Sequence, residues 1–284
     1  MTPPAKRLTI ALAGNPNSGK TTIFNNLTGT RQKVGNWPGV TVERKEGVIQ
    51  RDGYALKIVD LPGTYSLTPF SIEEIVARDF VLEAHPDVVI DIIDASNLER
   101  SLSLATQVRE LDCKVLFALN MADLARSRGI KIDAGKLSEL LEVPVVFTVG
   151  NKNEGIDALV GQAIALSERG AAAAPSRKVK YSKDIEAAIG ALRDFMTARS
   201  DFSPPYEPRW TAIKLLEDDK IVKARVLEKA GVFGSEILAE TARLRSRLRD
   251  RFDEDPEILM TDERYGFIAG IVKEVITTST RQRV

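Results

Sequence analysis

The clearest chemistry in the chain lies in eight residues near its start, GNPNSGKT at 14–21. They match G-x-x-x-x-G-K-[ST]. The apolar run RLTIALAG at 7–14 precedes them and a helix-forming stretch at 20–28 follows, so the loop joins a strand to a helix. That context suits a phosphate cradle. Gly14 and Gly19 let the backbone through Asn15, Pro16, Asn17 and Ser18 wrap a β-phosphate with its amides turned inward, and the helix adds its positive end. Lys20 would reach the β/γ oxygens, and Thr21, followed by Thr22, would hold magnesium through its hydroxyl. The bland alternative is a tight turn with an exposed lysine.

Two further tetrapeptides follow in order. DLPG at 60–63 ends a strand; Asp60 there can order the water shell of magnesium, and the Gly63 amide can touch a γ-phosphate. NMAD at 120–123, with Asn120 and Met121 leading to Asp123, also ends a strand. The Asp123 carboxylate can accept from both N1–H and the 2-amino group of guanine. Adenine offers neither in that arrangement, and a site built on such pairing discriminates strongly. Either tetrapeptide alone would read as a turn or a helix cap. Behind the phosphate loop and in this order, they specify GTP and GDP as ligands. After the strand at 143–147, where such proteins usually carry Ser-Ala-Lys, stand Thr148, Val149, Gly150 and Asn151. An amide at 149 or 150 is expected to reach guanine O6, through a poor match.

These loops need a scaffold, and the rest of the chain supplies one. Residues 42–50 and 54–60 alternate in polarity around the turn RDG, as a β-hairpin does. DVVIDIID (87–94), CKVLFAL (113–119) and VPVVFTV (143–149) are apolar throughout, as in a parallel sheet covered on both faces. Helical stretches separate them, including 97–111 with Asn97 as N-cap. The expected fold is α/β, a Ras-like P-loop GTPase domain with a mainly parallel sheet over 1–170. The run RGAAAAPSRKVK at 169–180 reads as a linker. Five amphipathic helical stretches without a convincing strand follow it, so 171–284 is expected to be an all-helical domain.

Composition narrows the partners. Lys+Arg and Asp+Glu both number 40, which argues against a global footprint for nucleic acid. One cysteine, Cys113, and one histidine, His85, nearly exclude a Cys/His zinc or iron site and fit a reducing compartment. No run reaches the roughly 20 apolar residues of a membrane helix, and the N-terminus is no signal peptide. A cytosolic location is expected.

The stretch GNWPGVTVERKEG at 35–47 reads as a mobile loop broken by Gly35 and Gly39, with Trp37 between Asn and Pro. In a GTPase this is the first switch. Thr41, after Val40, would close over magnesium, and Trp37 becomes a lid near the nucleotide unless it packs on a neighbour. Together with GNPNSGKTTIFNNLTG, DLPGTYSL, PDVVIDIIDASNLERSL and ALNMAD, this stretch resembles the cytosolic N-terminal region of the prokaryotic ferrous iron transport protein B family. The helical part, with ERYGFIAGIVKEV at 263–275, is similar to that family as well, and the resemblance covers nearly the whole chain. It implies a GTPase domain, a helical domain likened to a dissociation inhibitor, and a following membrane domain as partner. In a homo-oligomer, further copies of the chain are partners too. It also implies catalysis aided by potassium, held by Asn17 and by backbone carbonyls near Gly35 and Trp37. The position after Gly63 that often orients water is Thr64, no base, so unaided hydrolysis is expected to be slow. A missing positive charge at the transition state costs about 10³ to 10⁵ in rate.

Other features carry less. Glu43 and Glu46 form E-x-x-E, but on a strand they point to opposite faces, which sets iron coordination aside. His85 before Pro86 reads as a helix C-cap, Cys113 as a small buried hydrophobe, DEDPE at 253–257 as a solvated helix start, and RLRSRLRDR at 243–251 as a solvated basic face. Competing functions are a ribosome- or tRNA-associated GTPase and a nucleotide-binding regulator with negligible turnover. The weak motif at 148–151 predicts a loosely held base and fast GDP release. A stopped-flow dissociation rate as slow as that of slow-exchanging small G proteins would contradict it.

Overall fold

β1 (Lys6–Gly14) is the spine of a seven-stranded sheet in the computed structural model, which describes residues 6–170 and 179–278. The other strands of this sheet are β2 (Gln32–Asn36), β3 (Glu43–Arg51), β4 (Tyr54–Asp60), β5 (Val88–Asp94), β6 (Val115–Asn120) and, beyond the short β7 (Ile130–Ile132), β8 (Val145–Phe147). Their order is β2-β3-β4-β1-β5-β6-β8. β4, β1, β5, β6 and β8 are parallel; β2 and β3 extend the sheet antiparallel. Ile10 and Leu12 of β1, with Val88, Ile90 and Ile92 of β5, face α1 (Lys20–Thr28) and α6 (Ile156–Glu168). Alternate residues of the same strands therefore face the other way, toward α3 (Leu98–Glu110). The remaining helices of this unit are α2 (Ile72–Ala84), α4 (Ala122–Ser127) and α5 (Ala134–Leu141). Ser71 caps α2 in a reciprocal capping box with Glu74, and His85 ends it in the left-handed conformation. Asn97 stands at the N-cap of α3 but makes no side-chain cap bond.

Three elements differ from the sequence expectation. Gly35 and Asn36, expected at the start of a mobile loop, instead end the edge strand β2, with Gly35 opposite Arg44. The strand expected over 143–149 is only Val145–Phe147. Its continuation turns back, Val149 pairing with Glu154, through left-handed Asn153 and Gly155. The C-terminal part is also not purely helical. β9 (Ile276–Thr278) pairs antiparallel with β7, and the Asp133 amide donates to the Val275 carbonyl. Accordingly, 268–278 groups with 6–170 in one compact unit, and 179–267 forms the other. That division differs from a single break at 170.

The second unit is built from α7 (Lys183–Thr197), α8 (Pro208–Leu216), α9 (Lys220–Ala230), α10 (Val232–Phe252) and most of α11 (Pro256–Val275). Pro208 opens α8 under a Glu207 cap, and Asp219 caps α9 through two amides. At its centre Glu217 accepts from Lys214 and Arg264 at 2.6 and 2.7 Å. Burial opposes ionisation of Glu217, yet the two cations outweigh it and hold the carboxyl down at about 2. The acidic run 253–257 is more than a solvated start. Asp255 accepts from Arg245 and Arg249; Arg245 is thereby largely withdrawn from the expected solvated face, whereas Arg249 stays on it. The expected linker, with the alanine run 171–174, lies mostly outside the described residues.

One buried group in the sheet is a liability. Asp91 of β5, on the α3 side between Ala13 and Phe117, is 1% exposed, and its Oδ2 has no hydrogen-bond partner among the described residues. Burial pushes its carboxyl up to about 7. The folded protein therefore holds this proton more tightly than the unfolded chain, and stability is lost as pH rises from about 4 to about 7. Asp91→Asn should remove that loss, on the order of 4 kcal/mol at pH 8 and nothing near pH 4. Urea unfolding of both proteins across this range checks it; an equal gain at both ends would contradict the assignment.

Candidate functional site

Loops at the carboxyl ends of β1, β4 and β6 meet beside one another, the usual ligand edge of a parallel sheet. The phosphate loop leaves β1 at Gly14, turns through left-handed Asn17, and closes with the Ser18 amide donating to the Asn15 carbonyl at 3.1 Å. Gly19 has φ +86°, and a Cβ there would lie 2.2 Å from Asn120 Nδ2, so only glycine fits. Asn15 Nδ2 donates to the Arg100 carbonyl at 3.3 Å, while Asn15 Oδ1 and Ser18 Oγ are buried without partners among the described residues. Such orphans lining a cradle suit a polar ligand that would satisfy them. Asn17, Thr21 and Thr22 are exposed at the loop and the first turn of α1.

Lys20 does not point freely outward. Its ammonium forms a buried ion pair with Asp60 at the end of β4. Burial raises the Asp60 carboxyl above its ordinary value, against the pull of Lys20. The DLPG loop is tied to the phosphate loop by its backbone. The Leu61 amide donates to the Leu12 carbonyl at 3.0 Å, and the Thr64 amide to the Gly14 carbonyl at 3.3 Å. Gly63 lies against Pro16. Thr64 is buried, and Tyr65 beside it lies under the Arg100 guanidinium, 4.3 Å from the ring centre. The Leu67 amide then donates to Gln107 of α3 at 2.8 Å. Arg100 and Gln107 were not among the expected residues. NLERSL carries Arg100, but only the fold shows that it reaches Tyr65 beside the DLPG loop.

Trp37 takes the packed alternative rather than that of a lid near the nucleotide. Trp37 is 7% exposed and meets Phe80 of α2 edge to face, ring centres 5.3 Å apart, with the Arg44 guanidinium 4.8 Å above it. It anchors a hairpin turn and packs on neighbours. Its amide donates to Val42, and its carbonyl accepts from Val40 at 3.3 Å, across Gly39 at φ +74°. β2 stands three strand spacings from β1, roughly 14 Å. Among the described residues no hydrogen bond joins Gly35 or Trp37 to Asn17, or Thr41, exposed on the bend after β2, to Thr21 or Asp60. Glu43 pairs with Lys45, while Glu46 pairs with Arg44 and Lys57.

At the end expected to read the base lies a cleft of about 610 Å³ bounded by Gly19, Thr22, Asn120, Met121, Asp123 and Lys152, among others. Asn120 braces it. Its Nδ2 donates to the Ser18 carbonyl at 2.9 Å, and its Oδ1 accepts from the Gly150 amide at 2.9 Å and Thr148 Oγ at 3.3 Å. Asn26 of α1 holds the Gly150 carbonyl at 2.7 Å. Met121 adopts φ +57° and swings Asp123 into the first turn of α4, at the cleft. The expectation that an amide at 149 or 150 reaches guanine O6 needs correction here. The Gly150 amide is used by Asn120 and the Val149 amide by the Glu154 carbonyl, while Thr148 and Val149 are buried beneath the turn. Asn151 and Lys152, one and two residues further on, join Gly150 on the cleft wall. The sequence signal was the turn composition GNKNEG, which moves the exposed residues downstream.

Two family models cover most of the chain. The family model for ferrous iron transport protein B matches residues 8–163, and that for the FeoB cytosolic helical domain matches 181–277. The chain belongs to the ferrous iron transport protein B family. The Fe(2+) transporter FeoB of Escherichia coli K12 is 41% identical over 281 residues, 98% of this chain and 34% of that protein. A FeoA/FeoB fusion protein of Porphyromonas gingivalis is 40% identical over 280 residues, 96% of this chain and 32% of that protein. The chain thus spans about a third of the length of these curated relatives. Among solved structures, a GDP-bound mutant of the S. thermophilus FeoB G-domain superposes with TM-score 0.84 at 40% identity, covering 95% of this chain and all of that one. The cytosolic domain of T. maritima FeoB in its GMPPNP form gives 0.80 at 34% identity, covering 95% of this chain and 99% of that one. The FeoB unit at 6–170 therefore has a GTPase-type fold.

Asn120 ties three segments of this unit together through three buried hydrogen bonds. Asn120→Ala should cost about 2–3 kcal/mol, because it leaves the Gly150 amide and Ser18 carbonyl unpaired. Chemical denaturation measures this, and a loss under 0.5 kcal/mol (roughly the uncertainty of one bond) would show that the brace is dispensable.

Proposed function

We propose that this chain binds GTP and hydrolyses it slowly, and that turnover regulates or powers ferrous iron uptake through a membrane domain elsewhere in a longer protein. The observation that supports this best is the joining of the phosphate loop, the DLPG loop and the NMAD cleft along one sheet edge by backbone and Asn120 bonds. In this reading Gly14 to Thr22 cradle the phosphates, Lys20 and the Gly63 amide meet the terminal ones, and Asp123 selects guanine. The ribosome- or tRNA-associated alternative is not favoured, since both family models that match concern ferrous iron transport. No described helix is long and apolar enough to cross a membrane. That accords with a cytosolic portion of an inner-membrane protein.

Thr21, Thr41 and Asp60 would hold magnesium; hydroxyl and carboxylate oxygens are the hard donors it takes. When bound, that ion offsets charge on the phosphate oxygens. Lys20 must leave Asp60 for this, and Thr41 must travel inward. Asn17 offers an exposed carboxamide oxygen suited to potassium, with Gly35 and Trp37 joining only after the β2–β3 hairpin opens. Thr64, buried with its amide on Gly14, supplies no base, so Asn17 and the monovalent cation carry the rate. GTP turnover should be faster in potassium than in sodium by at least about tenfold, and Asn17→Ala should abolish the difference. Equal steady-state rates in the two salts would overturn the potassium assignment.

A further inference from the structure

The carboxylate that faces the base cleft already has a cation on it. Lys152 Nζ lies 3.1 Å from Asp123 Oδ2, while Asp123 Oδ1 accepts from the Leu124 amide at 2.9 Å. The Lys152 contact, more than any other, holds the Asp123 carboxyl below its ordinary value. Both residues line the same cleft. The turn that carries Lys152 is fixed at its base. The Lys152 amide donates to Val149, the Asn153 amide to Gly150, and Val149 pairs in both directions with Glu154. Gly155 follows at φ +80° with no room for a Cβ beside the Phe147 carbonyl. The ammonium therefore reaches Asp123 from a rigid platform, and only the side chain can swing away.

We propose that Lys152 is a specificity-determining residue that competes with guanine for Asp123. This rests on the reading of Asp123 as the guanine acceptor. A guanine ring offers N1–H and the 2-amino group to the two carboxylate oxygens, so full recognition must displace Lys152 from Oδ2. Hypoxanthine, which lacks the 2-amino group, needs only one oxygen and leaves Lys152 in place. Lys152 thereby discounts the 2-amino contact, lowering the preference for guanine over hypoxanthine and easing base release. The side chains are 52% and 31% exposed, so the discount is that of a solvated ion pair, about two- to fivefold in affinity.

The test is calorimetric binding of GDP and inosine diphosphate to the whole chain, as wild type, Lys152→Ala, Lys152→Arg and Asp123→Asn. The ratio of the two affinities cancels the shared phosphate and ribose contacts. Lys152→Ala should tighten GDP about two- to fivefold and leave inosine diphosphate nearly unchanged, raising the ratio by the same factor, with Lys152→Arg close to wild type. An unchanged ratio, or weaker GDP binding in Lys152→Ala, would overturn the competition. Asp123→Asn separates the underlying reading. A ratio collapsing toward one supports Asp123 as the acceptor, whereas a ratio that survives removes that premise whatever Lys152 does.

Discussion

Most of this site depends on the side chain of Asn120. Its amide holds the phosphate loop by the Ser18 carbonyl, and its oxygen holds the turn at 148–150 through one amide and one hydroxyl. These bonds lie in a dry environment, where an unpaired partner is expensive and a satisfied one is rigid. The parallel register of β1, β5 and β6 brings the two loops within reach, but the carboxamide fixes their spacing. Gly19 shows how tight that fit is, since not even a methyl group separates it from Asn120. The phosphate loop and the cleft beside Asp123 are thus braced as one piece.

Charge within the site is balanced in advance. Lys20 rests on Asp60, and Lys152 on Asp123, so the cation and anion of each pair neutralise one another across the cleft. The first pair is buried and the second solvated. That difference matters because separating buried charges costs far more than separating exposed ones. Asp60 would be released only to something of comparable charge, whereas Asp123 can exchange a lysine for the edge of a base. Asp91, with no counter-ion, shows what the same fold does with a carboxylate left alone: it keeps the proton.

What was legible in the sequence was local. The strand–loop–helix at 6–28, the hairpin around RDG and the apolar strands at 88–94 and 115–120 follow from period, turn chemistry and composition within a few residues. The helical unit was legible through its amphipathic spacing. What escaped depends on partners far along the chain. QKVGN at 32–36 has no alternation and one apolar residue, Val34, and becomes a strand because β3 offers it an edge. Trp37 is buried by Phe80, forty-three residues on, which no window around GNWPG contains. β7 and β9 are three residues each and find one another across more than 140 positions. In the base cleft, Thr148, Val149 and Gly150 sit in the right neighbourhood, but their hydrogen-bonding capacity is consumed by Asn120 and Glu154. The exposed positions fall one or two residues later. A motif match locates a loop; which of its amides remain free is a tertiary matter.

The β7–β9 ladder has a mechanical consequence. Ile276–Thr278 is clipped to Ile130–Ile132, three residues beyond the end of α4, the helix that bears Asp123. Tension on the chain beyond Thr278 would load this short clip before it reached any helix. The helix that bears Asp123 would then feel a tug within a few residues, because the clip ties the segment after α4 to the chain that leaves α11.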